Sequence, residues 1–276
     1  MTILVIGASG AQGGAVAARL ASRGLAVRGF GRSGRVPSGV EGFAGDLGDE
    51  RAVRAAFAGV RRVSVTLPLV FEAETVARYT ANLVSAAKAA GVERVVLNTA
   101  NRLPAGPSGV AAFDTRRAAV AELEAAGVPL VVLCPPVYLD NLHAPWVWAG
   151  QGAERVLRYP LPAEQPVAWL SHHDLAVATE AALTRDGLEG ARLDLGGPQE
   201  LTGPELAALA GARYEAADPD AFTAALGPAG PPVAATYHWG AAHPGFFRAD
   251  PAAAERLGVE PTPAAAWLAE NGLIAY

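Results

Sequence analysis

Along the first half of the chain, short β-branched and apolar runs alternate with longer alanine-rich stretches whose apolar positions recur every three to four residues. The runs predict strands at 3–6, 26–30, 42–44, 62–66, 94–98 and 130–133, and the stretches between them predict helices over 11–23, 50–57, 73–90 and 115–126. Regular strand–helix alternation builds a parallel sheet with helices on both faces, so the expected class is α/β with a doubly wound sheet. Three helices run into a glycine followed by an apolar strand, at Gly24, Gly91 and Gly127, where a left-handed cap stops the helix.

Beyond residue 135 the pattern loosens. Pro145, Pro160, Pro162 and Pro166 are interleaved with Trp146, Trp148 and Trp169, the composition of a smaller lobe attached to the sheet. Within it the pattern predicts a helix over 172–183, a strand over 192–195, a helix over 202–210, a loop over 227–232 and a last helix over 263–270. The chain therefore divides into residues 1–135, the sheet domain, and 136–276, mainly a substrate lobe with some segments returning to the sheet.

Composition narrows the class. At 276 residues, 51% hydrophobic and 18% charged, the chain can bury a large core. A net charge of −5 argues against a nucleic-acid partner. No run of some twenty apolar residues predicts a membrane span. The opening apolar run enters a glycine turn at once and lacks a basic leader, so it reads as a first strand and the cytoplasm is the default compartment. Cys134 is the only cysteine, which leaves no disulfide and no thiolate metal cluster to build. It reads as core.

The chemistry concentrates at the first turn. Gly7-Ala-Ser9-Gly10-Ala11-Gln12-Gly13 sits between a strand and an alanine-rich helix, where backbone N–H groups at a helix start hold a diphosphate and side chains would block its approach. This turn, with Rossmann topology around it, predicts a bound nicotinamide dinucleotide. The second strand ends Phe30-Gly31-Arg32-Ser33 with no acidic residue to take the ribose hydroxyls. Arg32, assisted by Ser33 and Arg35, suits a 2′-phosphate, so NADP(H) is preferred and NAD(H) is the alternative.

The spacing Gly-x-x-Gly-x-x-Gly resembles that of the short-chain dehydrogenase/reductase superfamily, and GASGAQGG is similar to its NmrA-like branch of atypical members, which includes quinone reductases and isoflavone reductase-like enzymes. The resemblance implies that Asp46 and Leu47 lie at the adenine edge and that Thr66, Leu67 and Pro68 line the nicotinamide ribose. In Phe113-Asp-Thr-Arg116, similar to the segment after the fifth strand, Arg116 falls on the family's usual lysine. It would stabilise an oxyanion or hold the cofactor, but arginine does not give up its proton. Cys134-Pro-Pro-Val-Tyr138-Leu-Asp-Asn141 resembles the exit from strand six. There Tyr138 is the expected substrate-side donor, with Asn98 and Thr99 opposite and Asn141, His143 and Trp146 toward the substrate. His143, Trp146 and Trp148 form either an aromatic wall for a planar substrate or a seal between lobe and sheet. No tyrosine has a lysine four residues on, because Lys88 is the only lysine and belongs to the helix before Gly91. The standard Tyr–Lys acid pair of short-chain reductases is thus missing. His172-His173-Asp174 reads as a helix start capped by Ser171 or Asp174, with no metal expected, since neighbours on a helix diverge by about 100 degrees.

Three functions fit these residues. The first is an NAD(P)H-dependent oxidoreductase acting on a small aromatic or quinone-like carbonyl compound. The second is an NADP-binding regulator without turnover. The third is a tailoring enzyme using the dinucleotide for oxygenation or epimerisation.

Overall fold

The computed structural model describes residues 2–274. Its central sheet has seven parallel strands in the order β3-β2-β1-β4-β5-β6-β9. These are β1 (Thr2–Ile6), β2 (Ala26–Gly31), β3 (Glu41–Ala44), β4 (Val60–Thr66), β5 (Arg94–Asn98), β6 (Leu130–Cys134) and β9 (Arg192–Asp194). The crossovers are α1 (Ala11–Ser22), α2 (Glu50–Ala56), α3 (Ala73–Ala90) and α4 (Ala111–Ala125), and α5 (His172–Thr184) precedes β9. The expected glycine stops hold: Gly24, Gly91 and Gly127 take φ of 76°, 61° and 70°.

Strand alternation divides the core in two. Leu4, Ile6, Val63, Val65, Val95 and Leu97 face α2, α3 and α4, while Ile3, Val5, Val96, Val131 and Leu133 face α1 and α5. Both faces are covered, which is why the strands read as near-continuous apolar runs. α5 is tied to the sheet by two arginines at the strand starts: Arg62 donates to Leu183 O at 2.7 Å and Arg94 to Ala182 O at 3.2 Å. They satisfy carbonyls at the helix end that lack intrahelical partners. Residues 172–194 thus return to the sheet domain, and the lobe is built around them.

The lobe has its own core, with Tyr159, Trp169, Tyr237, Phe247 and Trp267 at its centre. A small sheet pairs β8 (Val156–Tyr159) with β7 (Trp148–Ala149) and with β10 (Arg213–Ala216). Around it lie α6 (Gly203–Leu209), α7 (Pro219–Thr223), α8 (Gly230–Ala242), α9 (Pro251–Leu257) and α10 (Ala264–Glu270).

Several expectations need correction. Residues 227–232 are not a loop: a 3-10 turn over Ala224–Ala229 runs into α8, with Pro231 and Pro232 in its first turn. Proline there removes only N–H groups that have no partner anyway. α4 begins at Ala111, not at residue 115, so Arg116 lies in its second turn instead of its start. The strands of the small sheet, α7 and α9 were not foreseen, because short elements with Pro and Gly flanks carry too few periods to register. Among the described residues no helix is long and apolar enough to cross a membrane.

Candidate functional site

All strands of the main sheet point the same way, so their carboxyl ends share one edge, with Thr66 opposite Asn98 and Asn98 opposite Leu133. The strand order reverses between β1 and β4, and a crevice must open there. A cleft of about 770 Å³ occupies that crevice and continues under the lobe.

The glycine turn forms one wall. Gly7 N and Ala8 N donate to Phe30 O at 2.9 and 3.3 Å, which pins the turn to the end of β2. Gly7 has φ +81°, and a Cβ on it would lie 2.7 Å from Thr66 O. A Cβ on Gly13 would lie 2.3 Å from Gly7 O. The protein itself therefore demands glycine at both positions. Gly10 differs: a Cβ there would meet only Gly7 O, at 3.4 Å. Gly10 is also the N-cap of α1 and supplies no side-chain cap, so the first amides of the helix, at Ala11 and Gln12, have no acceptor within it. Ser9, Gly10, Ala11 and Gln12 all line the cleft. The residues present fit a dinucleotide diphosphate, because bare amides and an unfilled space above Gly10 are what such a group requires.

At one end of the cleft stand Arg32, Asp46 and Leu47. Arg32 is exposed and, among the described residues, has no carboxylate within ion-pair distance. Asp46 Oδ1 accepts from Gly48 N at 2.7 Å, which holds the carboxylate at the cleft edge. Ser33 lies outside the lining, and its hydroxyl accepts from Arg35 N at 3.2 Å. Thr66, Leu67 and Pro68 form the floor between the two ends.

At the inner end Tyr138 is buried, and its hydroxyl donates to Gln12 Oε1 at 3.2 Å and accepts from Asn98 Nδ2 at 3.5 Å. Asn98 also donates to Gln12 Oε1 at 2.7 Å, so it stands behind the lining as a strut between turn and sheet. Burial pushes the Tyr138 hydroxyl far above the usual tyrosine range, and its proton faces Gln12. The Thr99 hydroxyl is engaged by the carbonyls of Asn101 (2.5 Å) and Leu133 (3.1 Å). Next to it, Ala100 takes φ 60° and is the one non-glycine with positive φ among the described residues. Its N–H donates to Asn98 Oδ1 at 2.9 Å, which offsets a conformational strain of about 1–2 kcal/mol.

Arg116 lines the cleft yet is only 3% exposed. Its guanidinium donates to Pro68 O at 2.5 Å and Val70 O at 3.0 Å and lies 4.9 Å from the Phe71 ring centre. Burial lowers its pKa to about 10, which leaves it charged at neutral pH. It clamps the loop after β4, so its geometry is that of a positioning residue. Lys88, at the last turn of α3, is exposed and outside the lining.

Of the lobe residues, Asn141 lines the cleft and donates to Tyr159 OH at 2.9 Å, and Trp146 lines it beside Phe222. His143 does not line it; the ring packs against Trp267, 5.2 Å between centres. Trp148 is likewise a packing residue, donating to Leu142 O at 2.7 Å under the Arg155 guanidinium. The sequence reading takes His172 only as part of a helix start and passes over Asp140, yet the two face each other in the lining with His172 Nδ1 3.2 Å from Asp140 Oδ1. They lie 32 residues apart, and only their polarity beside the Tyr138 segment and a helix start could have drawn attention to them. Ser171 caps α5 through Asp174 N at 2.9 Å, and the Asp174 carboxylate takes Thr262 Oγ1 at 2.9 Å. Cys134 is fully buried, and burial raises its thiol pKa.

Known proteins resemble this chain in sequence and in fold. NAD(P)H azoreductase of Xenophilus azovorans is 30% identical over 212 residues, covering 75% of this chain and 71% of that one. The (4-alkanoyl-5-oxo-2,5-dihydrofuran-3-yl)methyl phosphate reductase of Streptomyces griseus subsp. griseus is 33% identical over 219 residues, covering 74% and 70%. The Citrobacter sp. triphenylmethane reductase, solved in complex with NADP(H), superposes with a TM-score of 0.79 at 22% identity over 98% of this chain and 99% of that one. The model of the NmrA-like family matches residues 1–217, through the whole sheet domain and into the lobe, and the chain belongs to that family.

Proposed function

We propose that this chain is an NADPH-dependent reductase of planar, conjugated acceptors of the quinone or azo class. One observation carries the choice of acceptor. Among the described residues the large apolar side chains left exposed are Leu69 (55%), Trp146 (43%) and Leu226 (38%), and all three border the cleft. They come from three segments far apart in sequence. Apolar surface gathered from distant segments onto one rim marks a ligand site, and Phe71, Phe222 and Tyr237 continue it inward. Two of the similar proteins are named as an azoreductase and as a reductase of an unsaturated furan phosphate, in keeping with such an acceptor.

In this reading the amides of Ala11 and Gln12 hold the diphosphate, Arg32 takes the 2′-phosphate, Asp46 stands at the adenine and Thr66, Leu67 and Pro68 follow the nicotinamide ribose. The bound dinucleotide supplies a hydride. The protein's own part is positioning: Arg116 fixes the loop 68–70 and the Gln12–Asn98–Tyr138 cluster fixes the inner wall. Holding acceptor and donor in register accounts for a large share of such a rate enhancement. The test is calorimetric titration with NADP+ and NAD+, then NADPH oxidation against a panel of quinones and azo dyes. Tight NADP+ binding with turnover supports the reading. Binding with no turnover over the whole panel would favour an NADP-responsive regulator, and no binding at all would remove both.

A further inference from the structure

Reduction of a quinone or an azo bond needs a proton as well as a hydride, and the inner end of the cleft offers few sources. Its ionisable side chains are Arg116, Tyr138, Asp140, His172 and Tyr237. Arg116 keeps its proton, and its terminal nitrogens are on backbone carbonyls. Tyr138 and Tyr237 are both pushed up by burial, and their hydroxyls are engaged by Gln12 and by Tyr159. For Asp140, burial acts to raise the pKa, but hydrogen bonds from the His172 ring and backbone and the charge of that ring outweigh it and hold the carboxyl below its usual range. It is an acceptor only.

His172 remains, and its setting is built. Leu139 N donates to Leu170 O at 2.9 Å and Leu170 N to Val137 O at 3.0 Å, so the exit of β6 is stitched to the entry of α5. That pairing sets Asp140 against the first residue of the helix. One carboxylate oxygen takes the His172 backbone N–H at 2.8 Å and the other lies 3.2 Å from Nδ1. The ring edge also packs on Tyr138, 4.6 Å between centres at 62°. Nε2 has no hydrogen-bond partner among the described residues and is not sealed from solvent. No other charge competes for the ring: on its own helix His173 is exposed and the Asp174 carboxylate is held by Ser171 and Thr262, while Tyr138, Gln12 and Asn98 on the facing elements are neutral.

We propose that His172, oriented by Asp140, is the proton donor to the acceptor, and that the site therefore serves acceptors whose reduced form carries a new O–H or N–H bond. The inference rests on the reductase reading. The reductant is the dihydronicotinamide dinucleotide, which leaves oxidised. Its hydride, with both electrons, bonds to one atom of the acceptor. The displaced π pair moves to an oxygen or nitrogen, that atom takes the proton from Nε2, and solvent returns a proton to the ring. Asp140 orients the imidazole and keeps Nδ1 protonated. The missing Tyr–Lys pair is replaced in this way by an imidazole in the cleft lining, a group that can give and regain a proton.

The test compares two acceptors: a quinone or azo dye, which needs a proton, and a triarylmethyl cation, which needs only the hydride. With His172→Asn the kcat/KM for the first falls about 100-fold, the size of a lost general acid. For the cation the same variant falls by no more than about threefold. A second readout uses no turnover. In the protein without dinucleotide, a ¹⁵N histidine ring signal that disappears in His172→Asn shows protonation at Nδ1 and shifts in Asp140→Asn, while NADP+ titration of both variants matches the native protein. An equal loss on both acceptors, no loss on either, or a ring signal indifferent to Asp140→Asn overturns the assignment. If the native protein reduces neither acceptor, the reductase reading itself falls and this inference falls with it.

Discussion

Two alanine substitutions three residues apart in sequence, at Gly10 and Gly13, separate folding from binding at the glycine turn. At Gly13 a Cβ would lie 2.3 Å from Gly7 O and 2.6 Å from Gly7 C. Carbon and oxygen rest more than 3 Å apart, so the turn must yield by roughly 1 Å, against a β1 end pinned to Phe30 O. Such overpacking costs about 2–4 kcal/mol, placing the expected fall in Tm for Gly13→Ala at about 5–15 °C. At Gly10 the new carbon meets only Gly7 O at 3.4 Å, an ordinary contact. The remaining penalty is that of alanine at an N-cap, about 0.5–1 kcal/mol, and Tm falls by about 1–4 °C. That methyl group nevertheless occupies the space the diphosphate would fill. Pushing the ligand off two amide hydrogen bonds, each worth about 1.5 kcal/mol to an anion, weakens NADP+ about 100-fold. Differential scanning calorimetry and isothermal titration measure the two effects independently. The reasoning fails if Gly10→Ala binds NADP+ as tightly as the native protein, or if its loss of binding merely follows its loss of stability.

Arg32→Ala should weaken NADP+ about 10- to 30-fold, change NAD+ less than about twofold and leave Tm unmoved, since this exposed side chain has no partner to lose among the described residues; equal weakening of the two nucleotides by calorimetry would reject the 2′-phosphate role. Tyr138→Phe should keep the fold and lose less than about tenfold in kcat, because the hydroxyl proton faces Gln12. A loss near 100-fold in steady-state assays would return the donor role to Tyr138. Because the Asp140 carboxyl is held below its ordinary value of 3.8 in the folded protein, its contribution to stability is complete above that value and is withdrawn as pH falls through the lower folded pKa. Acid titrations followed by circular dichroism should therefore show a shallower stability loss below pH about 4 for Asp140→Asn than for the native protein.

How much of this could be read from the residues divides along the same line as the site. The glycine turn, Arg32 and the floor at Thr66-Leu67-Pro68 are each continuous in sequence, and each follows directly on a strand whose apolar run is unmistakable. Their placement needs only strand-end geometry. His143 illustrates the opposite case. It is two residues from Asn141 and three from Trp146, both of which line the cleft, yet the 3-10 turn over Leu139–His143 carries its ring outward to Trp267. A turn of that kind has no periodicity to announce it. Arg116, expected at a helix start, lines the cleft from the second turn of α4, because that helix starts earlier and without a polar cap at Val110. Leu226 and Tyr237 could not be found at all. α8 presents no clear apolar stripe in sequence, and prolines at its start read as a break.

The division has a mechanical cause with consequences for function. The dinucleotide end is set by contacts within β1, β2 and β4, where backbone meets backbone at distances that admit no side chain. The end proposed for the acceptor is lined by side chains from the loop after β4, the turn after β6 and the helices of the lobe. A substitution at Leu69, Trp146 or Leu226 touches no buried layer, since these side chains stand on the rim with 55%, 43% and 38% of their surface exposed. Exchanges there cost little stability, so acceptor range can change while the cofactor end and the Asp140–His172 pair stay fixed.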